Sequence, residues 1–192
     1  EVGAGPKLVL PTREFAQGLA QVGFAVAADD GRPELSGIYL AVQGTELVLV
    51  GTDSYRLAER RLTLAEKPTT NPNPIIVPLR AVQEFTRVLQ ASSEETCGLT
   101  IGENQILLTA GDTAVTSRLV AGSYPDYQSI IPQRSGTGAQ VERGTLTQAV
   151  RAASLFARSG INDVRLALDP EAKTLAVGST NSQLGESANE VA

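Results

Sequence analysis

Apolar and polar residues follow two different periods in the first sixty residues of the chain. Residues 7–10 read as a short strand. The residues after it carry apolar side chains at the spacing of one face of a helix, and Thr12 is the expected N-cap of that helix. The apolar helix positions are Phe15, Leu19, Val22 and Val26. Apolar and polar residues alternate over 38–42, and residues 47–50 return after Gln43-Gly44-Thr45 as a more fully buried strand, which predicts a hairpin. Residues 58–62 read as a further extended segment.

The same order of elements returns twice further along the chain. Residues 74–120 repeat the strand, helix and hairpin of residues 7–62, with Pro78 in the place of Pro11. A linker over 122–140, rich in Pro, Ser and Gly, precedes a third helix that Thr145 is expected to cap and a hairpin over 164–177. The inward positions of that helix are Leu146, Val150, Ala153 and Ala157. We predict an α+β chain with domains at 1–128, made of two half-units, and 129–192, made of one.

Composition removes several function classes. The chain has 192 residues, no His and one Cys, so it cannot form a Ser-His-Asp or Cys-His nucleophile or a structural zinc site. Cys97 is interpreted as a small buried residue, and no metal or cofactor is expected. The absence of Met leads us to expect a piece of a longer protein. No apolar run of membrane-spanning length and no secretory signal are present, so we expect a cytoplasmic protein.

The net charge of the chain argues against nucleic-acid binding, but the charge of the predicted helices differs in sign from that of the rest. The formal charge is -5, yet the three predicted helices carry six arginines and two glutamates, which leaves the acidity elsewhere. The local potential of a patch decides whether phosphate is attracted, and arginine is also simply a good helix former on a solvated face. Helical phase gives these polar-face candidates for contact with DNA: Arg13, Gln17, Gln21, Arg80, Arg87, Arg151 and Arg158.

Several ordered segments carry a resemblance to a known family. They are Leu35-Ser36-Gly37-Ile38-Tyr39-Leu40, Thr52-Asp53-Ser54-Tyr55-Arg56-Leu57, Thr116-Ser117-Arg118-Leu119, Tyr124-Pro125-Asp126-Tyr127 through Ile130-Ile131-Pro132, and Ala152-Ala153-Ser154-Leu155-Phe156-Ala157. In this order and over nearly the whole chain, they resemble the bacterial DNA polymerase III beta subunits, the sliding clamps.

The resemblance implies a ring-shaped assembly that performs no bond chemistry. It implies the DNA clamp fold, with helices lining the hole and antiparallel sheets facing outward, in a head-to-tail homodimer around double-stranded DNA. Residues 1–128 correspond to the middle domain and 129–192 to the first half of the third domain. By position, Arg32 and Glu34 stand where the family presents groups to DNA, and Glu34 is a departure because a carboxylate repels phosphate.

The resemblance also implies a pocket for short peptides of the replicative polymerase, the clamp loader and repair polymerases. One wall corresponds to Leu35, Thr52, Ser54, Tyr55, Arg56 and Leu57. Pro125 and Ile130 of the linker correspond to another wall, and Ser129 stands where a basic residue is common in the family. Apolar anchors would supply affinity there, and Arg56 and Thr52 would orient polar groups of the peptide.

Two other functions remain open from the residues. A non-catalytic peptide-binding module of duplicated α+β domains would use the same loop near Tyr55 and Arg56 but would be insensitive to DNA topology. A carboxylate-metal hydrolase would use Asp29, Asp30, Asp53 or Asp126. Asp53 and Asp112 at equivalent turns are, however, typical of turn-capping aspartates.

Overall fold

The computed structural model describes residues 5–28, 31–66, 68, 70–134, 136–158 and 162–191. The chain divides into two compact units between Tyr127 and Gln128. Asp29 and Asp30 lie outside the described residues. Each unit is described by itself below.

Unit 1 contains the two predicted repeats, each made of a strand, a helix and three further strands. The first repeat comprises β1 (Lys7–Pro11), α1 (Thr12–Gly23), β2 (Gly37–Gln43), β3 (Glu46–Thr52) and β4 (Leu57–Thr63). The second comprises β5 (Ile75–Pro78), α2 (Leu79–Ala91), β6 (Thr96–Ile101), β7 (Gln105–Ala110) and β8 (Thr113–Arg118). The predicted α+β class and its antiparallel sheets are confirmed.

The two repeats exchange their first strands. β1 pairs with β6 of the second repeat, with Leu8 opposite Leu99, and β5 pairs with β2 of the first, with Val77 opposite Ile38. The resulting sheets have the orders β1-β6-β7-β8 and β4-β3-β2-β5. Neither repeat can leave the other without breaking a ladder in both sheets, so the repeats form one folding unit.

Both helices bury one stripe against a core that the two sheets share. Phe15 on α1 and Phe85 on α2 are almost fully buried, together with Leu19 and Leu89. Cys97 lies in the same core, where burial raises the pKa of its thiol to about 11, an effect that the nearby Thr12 hydroxyl opposes only in part. A thiol with such a pKa is neutral near pH 7 and a poor nucleophile, which agrees with a structural role.

The sequence-based caps and helix ends need correction. α1 begins after Pro11 and ends at Gly23, so Thr12 is its first residue, buried in the core, and Val26 packs inside beyond the helix. Proline precedes the helix naturally because its φ suits this position and it lacks the N–H that a helix start leaves unpaired. The cap of α3 is Glu142 and not Thr145: its carboxylate accepts hydrogen bonds from the Gly144 and Thr145 nitrogens at 2.8 and 2.6 Å.

The outer face of the β4-β3-β2-β5 sheet carries a second, smaller apolar cluster. Val48 and Val50 of β3 are fully covered there, because the segment after β8 runs across them. Tyr124 and Tyr127 of that segment pack on the two valines and on Tyr39, and the Tyr39 and Tyr124 rings are stacked with centroids 4.8 Å apart. We call residues 120–127 the strap.

Unit 2 contains α3 (Arg143–Ser154), β9 (Arg165–Asp169), β10 (Thr174–Asn181) and β11 (Gly185–Val191), in a sheet of order β11-β10-β9. Its core joins Ala149 and Ala153 of α3 to Leu175, Val177 and Val191 of the sheet. The apolar residues Leu166 and Leu168 of β9 are 56% and 44% exposed. Among the helices of the described ranges, none has both the length and the apolar composition needed to span a membrane.

Candidate functional site

The loop between β3 and β4 is held in one conformation by its own side chains. The Thr52 hydroxyl donates to the Arg56 carbonyl at 2.7 Å and accepts from the Ser54 nitrogen at 3.2 Å. The Asp53 carboxylate accepts from the Tyr55 and Arg56 nitrogens at 3.0 and 2.9 Å. This double use of short polar side chains is the local chemistry that favours tight turns over continued strand. The loop thereby presents the Tyr55 ring, which is 96% exposed.

Asp53 and Arg56 also form an ion pair within this loop. The Arg56 Nε donates to the second carboxylate oxygen of Asp53 at 2.9 Å. Burial opposes ionisation of Asp53, but the Arg56 and Tyr55 backbone N–H groups and the Arg56 guanidinium outweigh it and hold the pKa of Asp53 below its ordinary value. The Arg56 side chain is 59% exposed beyond this pair, so part of its donor fork faces solvent.

A second arginine reaches the same loop from another part of unit 1. Arg32, which precedes a single 3-10 turn at Pro33–Leu35, donates from Nη1 to the Ser54 hydroxyl at 2.9 Å. Its Nε lies 3.4 Å from Glu34 Oε1. Glu34 is therefore the ionic partner of Arg32, which accounts for a carboxylate at a position expected to meet phosphate.

The predicted pocket residues of unit 1 fall into two groups. Ser54, Tyr55, Arg56 and Pro125 are exposed, and Leu57 is half-buried at the start of β4. Leu35 and Thr52 are instead 1% and 6% exposed, so they support the surface from beneath and do not form it. Ile130 belongs to unit 2, where it is 68% exposed.

Three tyrosines that the sequence reasoning did not select support this surface. Tyr124 donates to the Val50 carbonyl at 3.4 Å, and Leu57 packs in the same cluster as Tyr124 and Tyr127. Burial raises the pKa of Tyr124, an effect that contact with the Thr52 backbone partly opposes. Pro125 is exposed and lies in the strap between these two packed tyrosines. The sequence feature that indicates this packing is the motif Tyr-Pro-Asp-Tyr, which places two large aromatic residues close together in a linker.

The predicted DNA-facing residues of α1 and α2 lie on one surface of unit 1. The helices are antiparallel neighbours: the start of α1 and the end of α2 line one groove, and the end of α1 and the start of α2 line another. Arg13, Gln17 and Gln21 are exposed on α1, and Arg80 and Arg87 on α2. The grooves are lined by the neutral amides of Gln17, Gln83 and Gln90 together with the charged Arg13, Arg87 and Glu94.

The arginine candidates differ in their ionic partners. Arg87 pairs with Glu84 one turn earlier on α2 at 2.9 Å. Among the residues that the structure describes, Arg13, Arg80 and Arg151 make no ion pair.

The prediction that Arg158 lies on the polar face of a helix is wrong. It lies beyond the end of α3 and pairs with Asp163 at 2.6 Å, so it is not part of a helical stripe. The three helices therefore carry five arginines and two glutamates, a net of +3.

The carboxylates proposed for a metal-dependent hydrolase do not assemble in the described ranges. Asp53 is engaged by the N–H groups of its own loop and by Arg56. Asp126 lies in the strap and has a polar or ionic partner. No group of three His, Cys, Asp or Glu side chains in the described part of the chain is arranged to hold a metal ion.

Comparison with known proteins decides the family. The family model of the DNA polymerase III beta subunit, central domain, matches residues 9–126. The chain belongs to the DNA polymerase III beta subunit family. This match spans both strand-exchanged repeats of unit 1, from β1 to the strap.

Relatives of the DNA polymerase III beta subunit family match the remainder as well. The beta sliding clamp of Staphylococcus epidermidis is 32% identical over 191 residues, and that of Staphylococcus aureus 31%. The sliding clamp of Bacillus subtilis superposes with a TM-score of 0.89 at 30% identity, covering 100% of this chain and 50% of its own. A Pseudomonas aeruginosa clamp bound to griselimycin gives a TM-score of 0.84 at 28% identity, with 51% of its chain covered. The chain thus spans about half the length of the relatives it matches.

Proposed function

We propose that this chain is part of a DNA sliding clamp, a processivity factor of a bacterial DNA polymerase III holoenzyme. In the intact protein it contributes to a homodimeric ring around double-stranded DNA. The observation that carries the proposal is agreement in sequence and fold with sliding clamps along the whole chain, at a TM-score of 0.89 and 30% identity. Residues 1–128 are the middle clamp domain, and 129–192 are the first half of the third.

The role of the α1–α2 surface follows from its mixture of arginines and neutral amides. A protein that slides must be attracted to phosphate without forming a contact it cannot break quickly. Arg13 and Arg80 supply attraction, whereas Gln17 and Gln21 offer neutral donors that exchange readily with water. Arg87 contributes less than an unpaired arginine because Glu84 neutralises it locally. Arg151 of α3 has the same role in unit 2.

The β3–β4 loop and the strap form the partner site. Tyr55, Leu57 and Pro125 supply apolar contact, and the donor fork of Arg56 meets carbonyl groups of a bound peptide. The replicative polymerase, the clamp loader and repair polymerases bind here through short peptides. The site tethers these proteins and raises their effective concentration at DNA, so the chain needs no catalytic group, metal or cofactor.

The test is processive synthesis by a chimeric clamp. The matched half of the Staphylococcus epidermidis clamp is replaced by this chain, and the chimera is supplied with that organism's clamp loader and replicative polymerase on a primed single-stranded circle. The expected result is full-length product from single binding events, as with the parent clamp. A chimera that folds and dimerises but gives only the short products of polymerase without a clamp would overturn the proposal.

The partner site has its own test on the 192-residue chain. Griselimycin, the ligand of the Pseudomonas aeruginosa clamp structure, is titrated by calorimetry. Binding by the parent chain and a weakened affinity after Arg56→Ala or Tyr55→Ala are expected, whereas Arg118→Ala at the end of strand β8, outside the β3–β4 loop, serves as the matched arginine control. Equal affinity in all three variants would place the ligand elsewhere on the chain.

A further inference from the structure

We propose that Arg32 is a positioning residue for the partner site, acting through the Ser54 hydroxyl to hold the Tyr55 loop. The inference rests on the proposed function, because it assigns Arg32 to the peptide-binding loop and not to phosphate contact. Its basis is the hydrogen bond from Arg32 Nη1 to Ser54 Oγ at 2.9 Å, which joins residues 22 positions apart in the chain.

Ser54 is the residue of the loop that most needs an external partner. Its φ is +76°, in the left-handed region where glycine is favoured and an L side chain is disfavoured. Inside the loop its nitrogen is held by Thr52, but its side chain has no partner within residues 52–57. A guanidinium donor on the hydroxyl therefore stabilises a backbone conformation that the local sequence disfavours.

The neighbouring residues favour this orientation of Arg32. Glu34 Oε1 lies 3.4 Å from Nε, so the guanidinium lies between a carboxylate and the Ser54 hydroxyl. The 3-10 turn at Pro33–Leu35 fixes the separation of Arg32 and Glu34 along the backbone. Leu35 anchors this turn because its side chain is 1% exposed. Within the described residues, this is the one hydrogen bond that links residues 31–36 to residues 52–57.

The consequence lies at Tyr55, the residue next to Ser54. Its ring is 96% exposed and has no packing of its own to hold it, so its position depends on the backbone at Ser54. Ordering a loop before a ligand arrives removes part of the entropic cost of binding. Losing Arg32 should thus leave the fold intact, release the Tyr55 loop and weaken ligand binding at that loop.

A single-tryptophan reporter measures this directly on the 192-residue chain. The chain contains no Trp, so Tyr55→Trp places one fluorophore at the tip of the loop. In that background we compare Arg32→Ala, Ser54→Ala, their combination and Arg32→Lys, with Arg118→Ala as the matched exposed-arginine control. The readouts are fluorescence anisotropy decay of the introduced indole and, for the same variants made with Tyr55 retained, the dissociation constant for griselimycin.

Arg32→Ala and Ser54→Ala are each expected to increase fast motion of the indole and to raise the griselimycin dissociation constant about fivefold, the effect of one net hydrogen bond. The double variant should be no worse than either single variant, because both remove the same interaction. Arg32→Lys should restore part of the order, since an ammonium can still donate to the hydroxyl. Arg118→Ala should change neither readout.

The inference is overturned if Arg32→Ala leaves the motion of the indole at the parent value, or if the two single effects add in the double variant. The fluorescence readout needs no ligand. If griselimycin fails to bind the parent chain while the indole responds as expected, the ligand-site part of the proposed function fails and the positioning role of Arg32 stands.

Discussion

Tyr124 of the strap is the residue whose removal tests the packing beneath the proposed partner site most sharply. Its ring is stacked on Tyr39 at 4.8 Å with an interplanar angle of 23° and meets Tyr127 edge-on at 6.4 Å. The strap it belongs to covers Val48 and Val50, which are 0% exposed. Tyr124→Ala should release the strap from the sheet, and Tyr124→Phe should not.

The magnitude follows from area and stacking. An aromatic side chain buries roughly 150–250 Å² when fully covered, and half of that at about 25 cal/mol per Å² gives about 2–3 kcal/mol. The stacked pair adds about 0.5–1.5 kcal/mol. The Oη to Val50 carbonyl distance of 3.4 Å is long, so losing that hydrogen bond costs less than about 1 kcal/mol. We expect about 3 kcal/mol for Tyr124→Ala and under about 1 kcal/mol for Tyr124→Phe.

The assay is urea unfolding followed by tyrosine near-ultraviolet circular dichroism. All four tyrosines lie in unit 1, at positions 39, 55, 124 and 127, so the signal reports that unit. Tyr55→Ala is the matched control, because it deletes the same side chain at a 96% exposed position and should change the free energy of unfolding by less than about 0.5 kcal/mol. Equal losses for Tyr124→Ala and Tyr55→Ala would refute the strap as a packed element.

Three further predictions follow from single contacts. The pKa of Asp53 is held low, so its contribution to stability is present above the ordinary carboxylate pKa and is lost as pH falls through the lowered one. The difference in urea midpoint between the parent and Asp53→Asn should therefore disappear on acidification, and a difference independent of pH would contradict this. Gly51→Ala places a Cβ 2.4 Å from the Val22 carbonyl oxygen and should destabilise unit 1 by about 2–3 kcal/mol. Gly44→Ala, where the space is open but φ is +65°, should cost about 1 kcal/mol, and equal costs by urea unfolding would argue against the close contact at Gly51. Glu142→Ala removes the cap of α3 and should speed amide exchange at Gly144 and Thr145 without affecting α1, whereas unchanged exchange would mean that the cap is not formed in solution.

The repeated pattern of apolar residues was sufficient to predict the elements of unit 1 but not how they pair. Residues 7–10 and 75–77 have the same periodicity as any buried strand, and nothing local indicates that each joins the sheet of the other repeat. Pairing depends on contacts distant in sequence, which period and propensity do not encode. The predictions of the helix caps were wrong for a local reason. Pro11 and Glu142 occupy the N-cap positions of α1 and α3, and Thr12 and Thr145 lie within the first turns of these helices.

The candidate site divides in the same way. The β3–β4 loop could be predicted because Thr52, Asp53 and Ser54 are residues that build turns through their own side chains. The contributions of Arg32 and of Tyr124 could not, because Arg32 reaches this loop, and Tyr124 reaches the end of β3, from segments distant in the sequence. Arg158 shows the opposite error, since helical spacing was extended past the last turn of α3 into a loop where Asp163 pairs with it.

The central claim, that this chain is part of a clamp held on DNA by topology, is tested most directly by retention. The chimera with the Staphylococcus epidermidis half is loaded onto a nicked circular plasmid, isolated by gel filtration, and its dissociation is followed before and after the plasmid is cut once. The account predicts slow loss from the circle and rapid loss after linearisation, because a ring can then slide off the ends. Equal rates from circular and linear DNA, with the chimera dimeric and folded, would contradict it.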